Sequence, residues 1–541
     1  MKKNFLLMIF MAFISFSSQI DKTFPVSAED FDDSILTNQI FEFKAFKDQG
    51  YIVLNYENLK KVDIYVNAHL LDTSSLKGTG QKKIYIGKYT NNDKNILSIS
   101  NLDGKVNIKI PYPIVLEKGD KEYNKTEIKY IDKFLKSEIK AGFPSIQIAV
   151  IKNGKLEFAK SYGSSTNETM YDIASNTKMY ATNYAIQKLV YEKKLNLDTY
   201  IKDIFPDFVG KNKEKVQVSD LLKHQAGFPA DPQYHNDLYD KDDGIKNGKN
   251  DLYAIGKENV LKAIMKTPLE YEPKTKTKYS DVDYMLLGLI VEKITGKNLD
   301  EYVNEEFYSK LNLKHTMFNP LQHGISKNNI APTELHGNTR DGLIEFKNIR
   351  KNVIWGEVHD EKAYYAMKGV SGHAGLFSNA IELAKLAQIM INQGGYGENK
   401  FFDKTTVDIF TEPNHINTSY GLGWRRQGDN IYSWAFSGIV GKDTIGHTGW
   451  TGTVTVIDPN QNLVVVLLTN AKHSKVIDNK KNPNKFFADQ FYTKKYGAII
   501  TLLVDAFTTK DNKDTKRRIK SYFMDLSKQE TPNKYIKDLI K

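Results

Sequence analysis

Two apolar hairpin patterns stand far apart in this chain, and a folded domain has to bring them into one sheet. The first, "SIQIAVIKNGKLEFAKSYG" at 145–163, is two strand-like runs joined by Asn153-Gly154, a dipeptide that supplies the positive φ angles of a tight turn. The second, "GTVTVIDPNQNLVVVLLTN" at 452–470, is again strand, turn and strand. From about 179 to 395 the chain reads mostly as helix patterns and long loops. Strands at both ends with helices between predict an α/β domain: one sheet made from its two ends, with a helical region inserted. Just ahead of the first hairpin, "TEIKYIDKFLKSEIKAG" places Ile128, Ile131, Leu135 and Ile139 on one helical face, and Gly142 stops the helix.

Residues from about 38 to 116 follow a different period. "KVDIYVNAH" puts Val62, Ile64 and Val66 on one face, and "KKIYIGKY", "NILSISN" and "KVNIKIPYP" repeat the alternation with Asn and Gly between them. This predicts a small β-sandwich accessory module over 29–120, either a binder of wall sugar or a spacer. The α/β domain is expected over 121–508. Past it, 509–541 is a polar C-terminal tail, a loose helical appendage or a disordered segment.

The first residues have the layout of a secretory signal, expected at 1–28: Lys2 and Lys3, an apolar run from Phe5 to Phe16, and the small-residue site Val26-Ser27-Ala28. The run is shorter than the ~20 residues of a spanning helix, so export with removal is expected over permanent anchoring. Cysteine is absent, which excludes disulfides, thiolate metal sites and a cysteine nucleophile. The net charge of +11 is modest for 541 residues. It suits solubility, or attraction to anionic wall polymers or lipid head groups. No aromatic-studded basic motif points to nucleic acid.

The chemistry rests on three short stretches. In "YDIASNTKMY", Ser175 and Lys178 are three apart and share a helical face. A serine hydroxyl is a poor nucleophile until a base takes its proton, and a lysine can be that base if burial lowers its pKa. Alone this spacing is common by chance and fits a solvated pair. "KYSDVDYMLLGLIVEKITG" adds Tyr279, Ser280 and Asp281 ahead of an apolar helix; a tyrosine oxygen near a cationic lysine can shuttle a proton. "GHTGWTGTVTVID" adds His447, Thr448 and Gly449 at the start of a strand, whose edge N–H groups can meet a developing oxyanion.

These motifs, in this order, resemble the serine β-lactamases and penicillin-binding proteins. From about 125 to 500 the chain resembles the class C β-lactamase-like family of penicillin-binding proteins and esterases, and within it the low-molecular-mass, D-Ala-D-Ala carboxypeptidase-like proteins of type 4B. Further stretches carry the likeness: "DLLKHQAGFPADPQ", "NTRDG", "GEVHDEKA", "GVSGHAGLFSN" and "YGLGW". The resemblance implies a β-lactamase/transpeptidase-like sheet flanked by helices. It implies Ser175 as the nucleophile of an acyl-enzyme, Lys178 as its base, and Tyr279 as the group passing a proton to the leaving group. The N–H groups of Ser175 and Trp450 would form the oxyanion hole. Asp281, His447, Thr448 and Gly449 would line the substrate site, with His447 and Thr448 facing a terminal carboxylate. It implies no cofactor and no metal. The expected partners are peptidoglycan stem peptide or another D-alanylated wall polymer, with β-lactams as covalent ligands.

Two positions depart from the broad family: Asp281 stands for an asparagine and His447 for a lysine. An ionised aspartate cannot donate to a substrate amide, and an unperturbed histidine is mostly neutral at pH 7. Slow turnover of peptides and β-lactams follows, and an ester substrate stays open, as do a weak β-lactamase and a non-catalytic wall-binding protein. His359, Asp360 and His373 offer metal-type side chains, but their spacing matches no compact ligand motif; they are expected to organise loops near the cleft. Asp231 and His224 read as a loop brace and a helix-end contact, and Trp424 as core.

Overall fold

The computed structural model describes residues 39–478, 482–534 and 536. The signal expected at 1–28 lies outside the described residues. No helix among the described residues is long and apolar enough to cross a membrane. The chain divides into two compact units.

The first comprises residues 39–114 with a short insertion, 394–404. Its strands are β1 (Gln39–Ala45), β2 (Tyr51–Val66), β3 (His69–Leu70), β4 (Gly78–Tyr85) and β5 (Asp93–Lys109). The sandwich-like module is built from one continuous antiparallel sheet of order β1–β5–β2–β3, with β4 also paired to β2. Register shifts in β2 between Tyr56 and Leu59 and around Lys61 bend it, as bulges do. The buried set moves with them, from Ile52 and Leu54 to Leu59 and then to Val62, Ile64 and Val66. The insertion forms a two-stranded hairpin, Gly395–Tyr396 with Asn399–Lys400, and Tyr112 N–H donates to Gly397 O at 2.8 Å.

The second unit holds the remaining described residues, from 115 to 393 and from 405 on. Its main sheet has six antiparallel strands: β6 (Ser145–Lys152), β7 (Lys155–Gly163), β8 (Arg425–Arg426), β9 (Ile445–Gly449), β10 (Thr453–Asp458) and β11 (Leu463–Thr469), in the order β8–β9–β10–β11–β6–β7. The two distant hairpins therefore meet at β11 and β6, where Val465 sits opposite Val150. Both faces of these strands are apolar, so both need cover. Helix α1 (Lys125–Lys140) starts where the Asn124 side chain accepts from Glu127 N–H, and ends before Gly142, which adopts φ +108°. Its Ile131, Phe134 and Leu135 are buried in one cluster with Ile146, Ile148 and Val150. The middle of the chain supplies α2 (Tyr184–Tyr191), α3 (Asp281–Thr295) and α4 (Ala380–Ile391), the last packed on β6 and β11. Helix α5 (Tyr496–Thr508) adds Ile499, Leu503 and Phe507 to the cluster around α1.

The segment after 508 carries helix α6 (Thr515–Ser527). Its composition is polar, but its few apolar residues fall on one side: Ile519 and Phe523 are buried in the main core, with the Phe523 ring 5.3 Å from Phe134. Arg518 donates to Asp505 at 2.6 Å and also reaches Glu127.

Candidate active site

Ser175 lies in a tight turn, Ala174–Asn176, that runs into a π-helical turn, Lys178–Asn183, and then α2. Ala174 is held at φ +48°, a left-handed conformation that a non-glycine residue adopts only where its surroundings enforce it. The surroundings here are specific. Ala174 N–H donates to Asp172 at 2.8 Å, and the Thr453 hydroxyl donates to Ile173 O at 3.0 Å. The Asn176 amide spans to Thr453 and Thr455, both at 3.0 Å. Buried polar groups of β10 thus clamp the turn while Ser175 itself keeps access to solvent.

The Lys178 side chain is fully buried and makes three hydrogen bonds. Its Nζ donates to Ser175 Oγ at 3.1 Å, to Asp281 Oδ1 at 2.8 Å and to the carbonyl of His373 at 3.1 Å. The Tyr279 ring lies 4.9 Å from the same Nζ, and its phenol interacts with both Lys178 and Ser175. Tyr279 and Asp281 flank Ser280, whose hydroxyl caps α3 by accepting from Val282 N–H and itself donates to Pro229 O at 2.6 Å. The helix cap therefore fixes where both side chains emerge.

Burial was expected to lower the lysine. Burial does disfavour the charge, but the Asp281 carboxylate and the Tyr279 oxygen outweigh it and hold Lys178 above the usual lysine value. Burial pushes Tyr279 up, only partly offset by Lys178. Asp281 stays well below the carboxylate range: burial opposes its charge, and the ammonium groups of Lys178 and Lys362 overcome that. Ser175 thus faces an ammonium and a neutral phenol at rest.

Asp281 is the centre of a larger network. Lys362 Nζ lies 3.2 Å from Asp281 Oδ2, bonds Asp231, and is 3.8 Å from Asp360. Asp231 braces this lysine while its side chain remains 61% exposed. His373 is held by Ser371 at 2.8 Å and Asp360 at 2.9 Å, which fixes the carbonyl that Lys178 uses. Asp281, Asp360 and His373 bring ligand-type atoms within 4.8 Å of one another, but the carboxylate oxygens there already face the two ammonium groups. His359 is elsewhere, bonded to Glu334 at 2.8 Å beside the Arg340–Glu334–Glu361 network.

The third motif is largely buried. His447 is 2% exposed; its Nδ1 bonds Thr448 O at 2.7 Å, so Nδ1 carries the proton. Burial, then the charges of Arg425 and Lys178, drive its pKa well below the ordinary histidine value. His447 therefore sits beside the Tyr279 ring, 6.1 Å away, in surroundings that disfavour its charge. Thr448 remains partly exposed. Protein packs closely against Gly449. A Cβ there would fall 2.2 Å from Thr453 Oγ1 and 2.5 Å from Ile173 O, so the missing side chain lets β9 seat against the nucleophile turn. Trp450 is 43% exposed at the strand's end. Gly452 N–H closes that turn on Gly449 O, and Asn176 N–H closes the serine turn on Ile173 O, both at 3.1 Å; neither bond uses the N–H of Trp450 or Ser175.

His224 is fully buried with Nδ1 2.8 Å from Asp283, and its ring backs Tyr279 at 4.6 Å. Burial lowers the histidine and raises the aspartic acid, so the surroundings disfavour charge on both. Trp424 is core, between Tyr180 and Tyr184.

Two residues escaped the sequence reading. One is Lys362. The other is Arg425, directly after the "YGLGW" stretch. It pairs with Gly446 beside His447, stacks on Tyr420 at 3.8 Å and lies 5.1 Å from the Tyr279 ring. Its Nε is buried without a hydrogen-bond partner, and no carboxylate pairs with it among the described residues. The only hint in the sequence was a pair of arginines following a core tryptophan.

Comparison with known proteins identifies the family. The Beta-lactamase family model matches residues 128–490. A relative from Escherichia coli K12 named "Putative D-alanyl-D-alanine carboxypeptidase" is 44% identical over 422 residues, covering 74% of this chain and 95% of its own. One of the same name from Salmonella agona is 45% identical over 414 residues, covering 72% and 94%. The fold is similar to that of EstCE1, a hydrolase with promiscuous acyltransferase activity (TM-score 0.51, 17% identity, 70% of this chain and 98% of that one). It is also similar to the octameric penicillin-binding protein homologue from Pyrococcus abyssi (TM-score 0.50, 21% identity, 73% and 81%). With the nucleophile turn, the lysine and the tyrosine drawn together as described, the chain belongs to the beta-lactamase family of serine hydrolases.

Proposed function

We propose that this protein is an exported D-alanyl hydrolase, D-Ala-D-Ala carboxypeptidase-like, that works through an acyl-enzyme on Ser175. The observation that carries the reading is the partly exposed Ser175, its hydroxyl bonded to the buried Lys178 ammonium at 3.1 Å, with the Tyr279 phenol on both. The relatives' name supports the substrate class. The lysines and apolar run at 2–16 support export.

The steps follow from the geometry. Once one proton has left the Lys178–Tyr279 pair, that pair takes the Ser175 proton as Oγ attacks the D-alanyl carbonyl. The N–H groups of Ser175 and Trp450 receive the oxyanion. The C–N bond then breaks, Tyr279 returns the proton to the departing amine, and the acyl group remains as an ester on Ser175. Water attacks that ester, gives its proton to the same pair, and the serine is released. Arg425, an unpaired guanidinium beside Tyr279, takes the carboxylate of the departing D-alanine.

Asp281 favours a second reading of the same site, an esterase acting for example on D-alanylated teichoic acid. A carboxylate bonded to Lys178 offers no donor to a substrate amide. Intact-mass spectrometry after incubation with a penicillin tests the acyl-enzyme: a stoichiometric adduct on Ser175 is expected, and none at any concentration overturns it. Product analysis on muropeptides against D-alanylated teichoic acid then separates peptidase from esterase.

A further inference from the structure

A carboxylate at position 281 creates a difficulty for a base at Lys178. Asp281 Oδ1 lies 2.8 Å from Lys178 Nζ. An anion that close aligns the ammonium, but it also opposes loss of the proton. An amide at 281 would align without that effect. The structure places a second cation against the far side of the same carboxylate. Lys362, on the turn that follows Asp360, is 4% exposed, and its Nζ is 3.2 Å from Asp281 Oδ2.

We propose that Lys362 is a positioning residue for acylation: by holding the outer oxygen of Asp281 it lets that carboxylate orient Lys178 on Ser175 without fixing the proton there. The inference rests on the acyl-enzyme reading above. Several observations support it. The two lysines occupy different oxygens of one carboxylate, so each turns it for the other. Lys362 is anchored independently by Asp231 and faces Asp360, so it stays in place whatever Lys178 does. Its charge contributes directly to keeping Asp281 ionised.

The other groups around Lys178 cannot substitute. Tyr279 and the Tyr284 ring, 6.0 Å away, attract its charge, and the His373 carbonyl accepts from it. Arg425 is a cation, but it lies across Tyr279 with no bond to Asp281, and His447 and His224 are neutral. Around Lys362 and Asp281 the remaining titratable neighbours are Asp231, Asp360, the His373 ring bonded to Asp360 at 2.9 Å, Tyr234, Tyr239 and the neutral His235.

The test is the pH dependence of the second-order acylation rate, followed with a chromogenic cephalosporin and a neutral ester. Lys362→Gln keeps a donor for both carboxylates and loses the charge. The acid limb should move up by about one pH unit, with roughly a tenfold loss at pH 7 and a rate at the alkaline plateau within about threefold of the unmutated protein. Lys362→Arg should leave the limb in place. Asp281→Asn in the Lys362→Gln background should bring it back down. Should Gln not fold, Lys362→Met carries the same expectation. A limb unmoved by loss of the charge, with the rate reduced equally at every pH, would mean that Lys362 only braces the loop, and overturns the proposal. Absence of an adduct on the unmutated protein would overturn the acyl-enzyme reading itself.

Discussion

Lys178 Nζ sits 2.8 Å from Asp281 Oδ1 and 3.1 Å from Ser175 Oγ, so one buried ammonium joins the carboxylate to the nucleophile. The aspartate raises the lysine above its ordinary value although burial acts the other way. The resting enzyme therefore holds a proton that acylation must first remove.

That proton sets the pH dependence. A group whose pKa is raised keeps its proton to higher pH, and here the deprotonated form is the reactive one. Acylation by a neutral ester should accordingly rise from pH 7 towards 10, by about tenfold per unit below the limb. Stopped-flow or steady-state rates over this range, in buffers of constant ionic strength, check it. A rate that is flat from 6 to 9 would show that the base is already free.

Ser175→Ala should remove covalent labelling by β-lactams and leave folding intact. Loss of one hydroxyl at the cleft face should change stability by no more than about 0.5 kcal/mol, since the turn is held by Asn176, Thr453 and Asp172 rather than by the serine. Intact-mass spectrometry and a thermal melt read the two halves of this expectation.

Carboxylate recognition should follow Arg425 and not His447. Arg425→Gln should raise KM for substrates with a terminal carboxylate by about 10–100-fold, the range of a ~1.5–3 kcal/mol charged hydrogen bond, while a neutral ester is nearly unaffected. Because His447 stays neutral, with its pKa far below the usual value, the ratio of kcat/KM for the charged and neutral substrates should be flat from pH 5.5 to 8. A ratio that falls as pH rises through this range would return the clamp to His447.

Gly449→Ala should be far more damaging than its size suggests. The new methyl would meet the backbone oxygen of Ile173 at 2.5 Å, so β9 or the Ser175 turn has to move. A displacement of this kind misaligns nucleophile and oxyanion donors and should lower kcat by roughly 100-fold. Comparable KM and a modestly lower melting temperature would distinguish this from unfolding.

Phe523→Ala tests whether the polar C-terminal helix is part of the core. Phe523 is fully buried against Phe134, and an aromatic truncation in such a place costs about 3–5 kcal/mol. Urea unfolding should show that loss. A change below about 1 kcal/mol would mean that α6 contributes little to the folded unit.

What the sequence by itself determined was local. The Asn153-Gly154 turn, the strand–turn–strand pattern in 453–469, the stop at Gly142 and the Ser175–Lys178 spacing depend on neighbours within a few residues, and each is where the pattern put it. The tertiary structure decided the charge states and the partners. Lys178 meets a carboxylate 103 positions away, and Lys362 bonds one 131 positions away, so no spacing rule could show that Asp281 would reverse the effect of burial. The C-terminal helix looked detachable because only a few apolar residues anchor it, and their burial depends on α1, far earlier in the chain. The surroundings of His447, buried beside Tyr279, and of Arg425, across the same ring, are likewise set only when β8, β9 and Tyr279 come together.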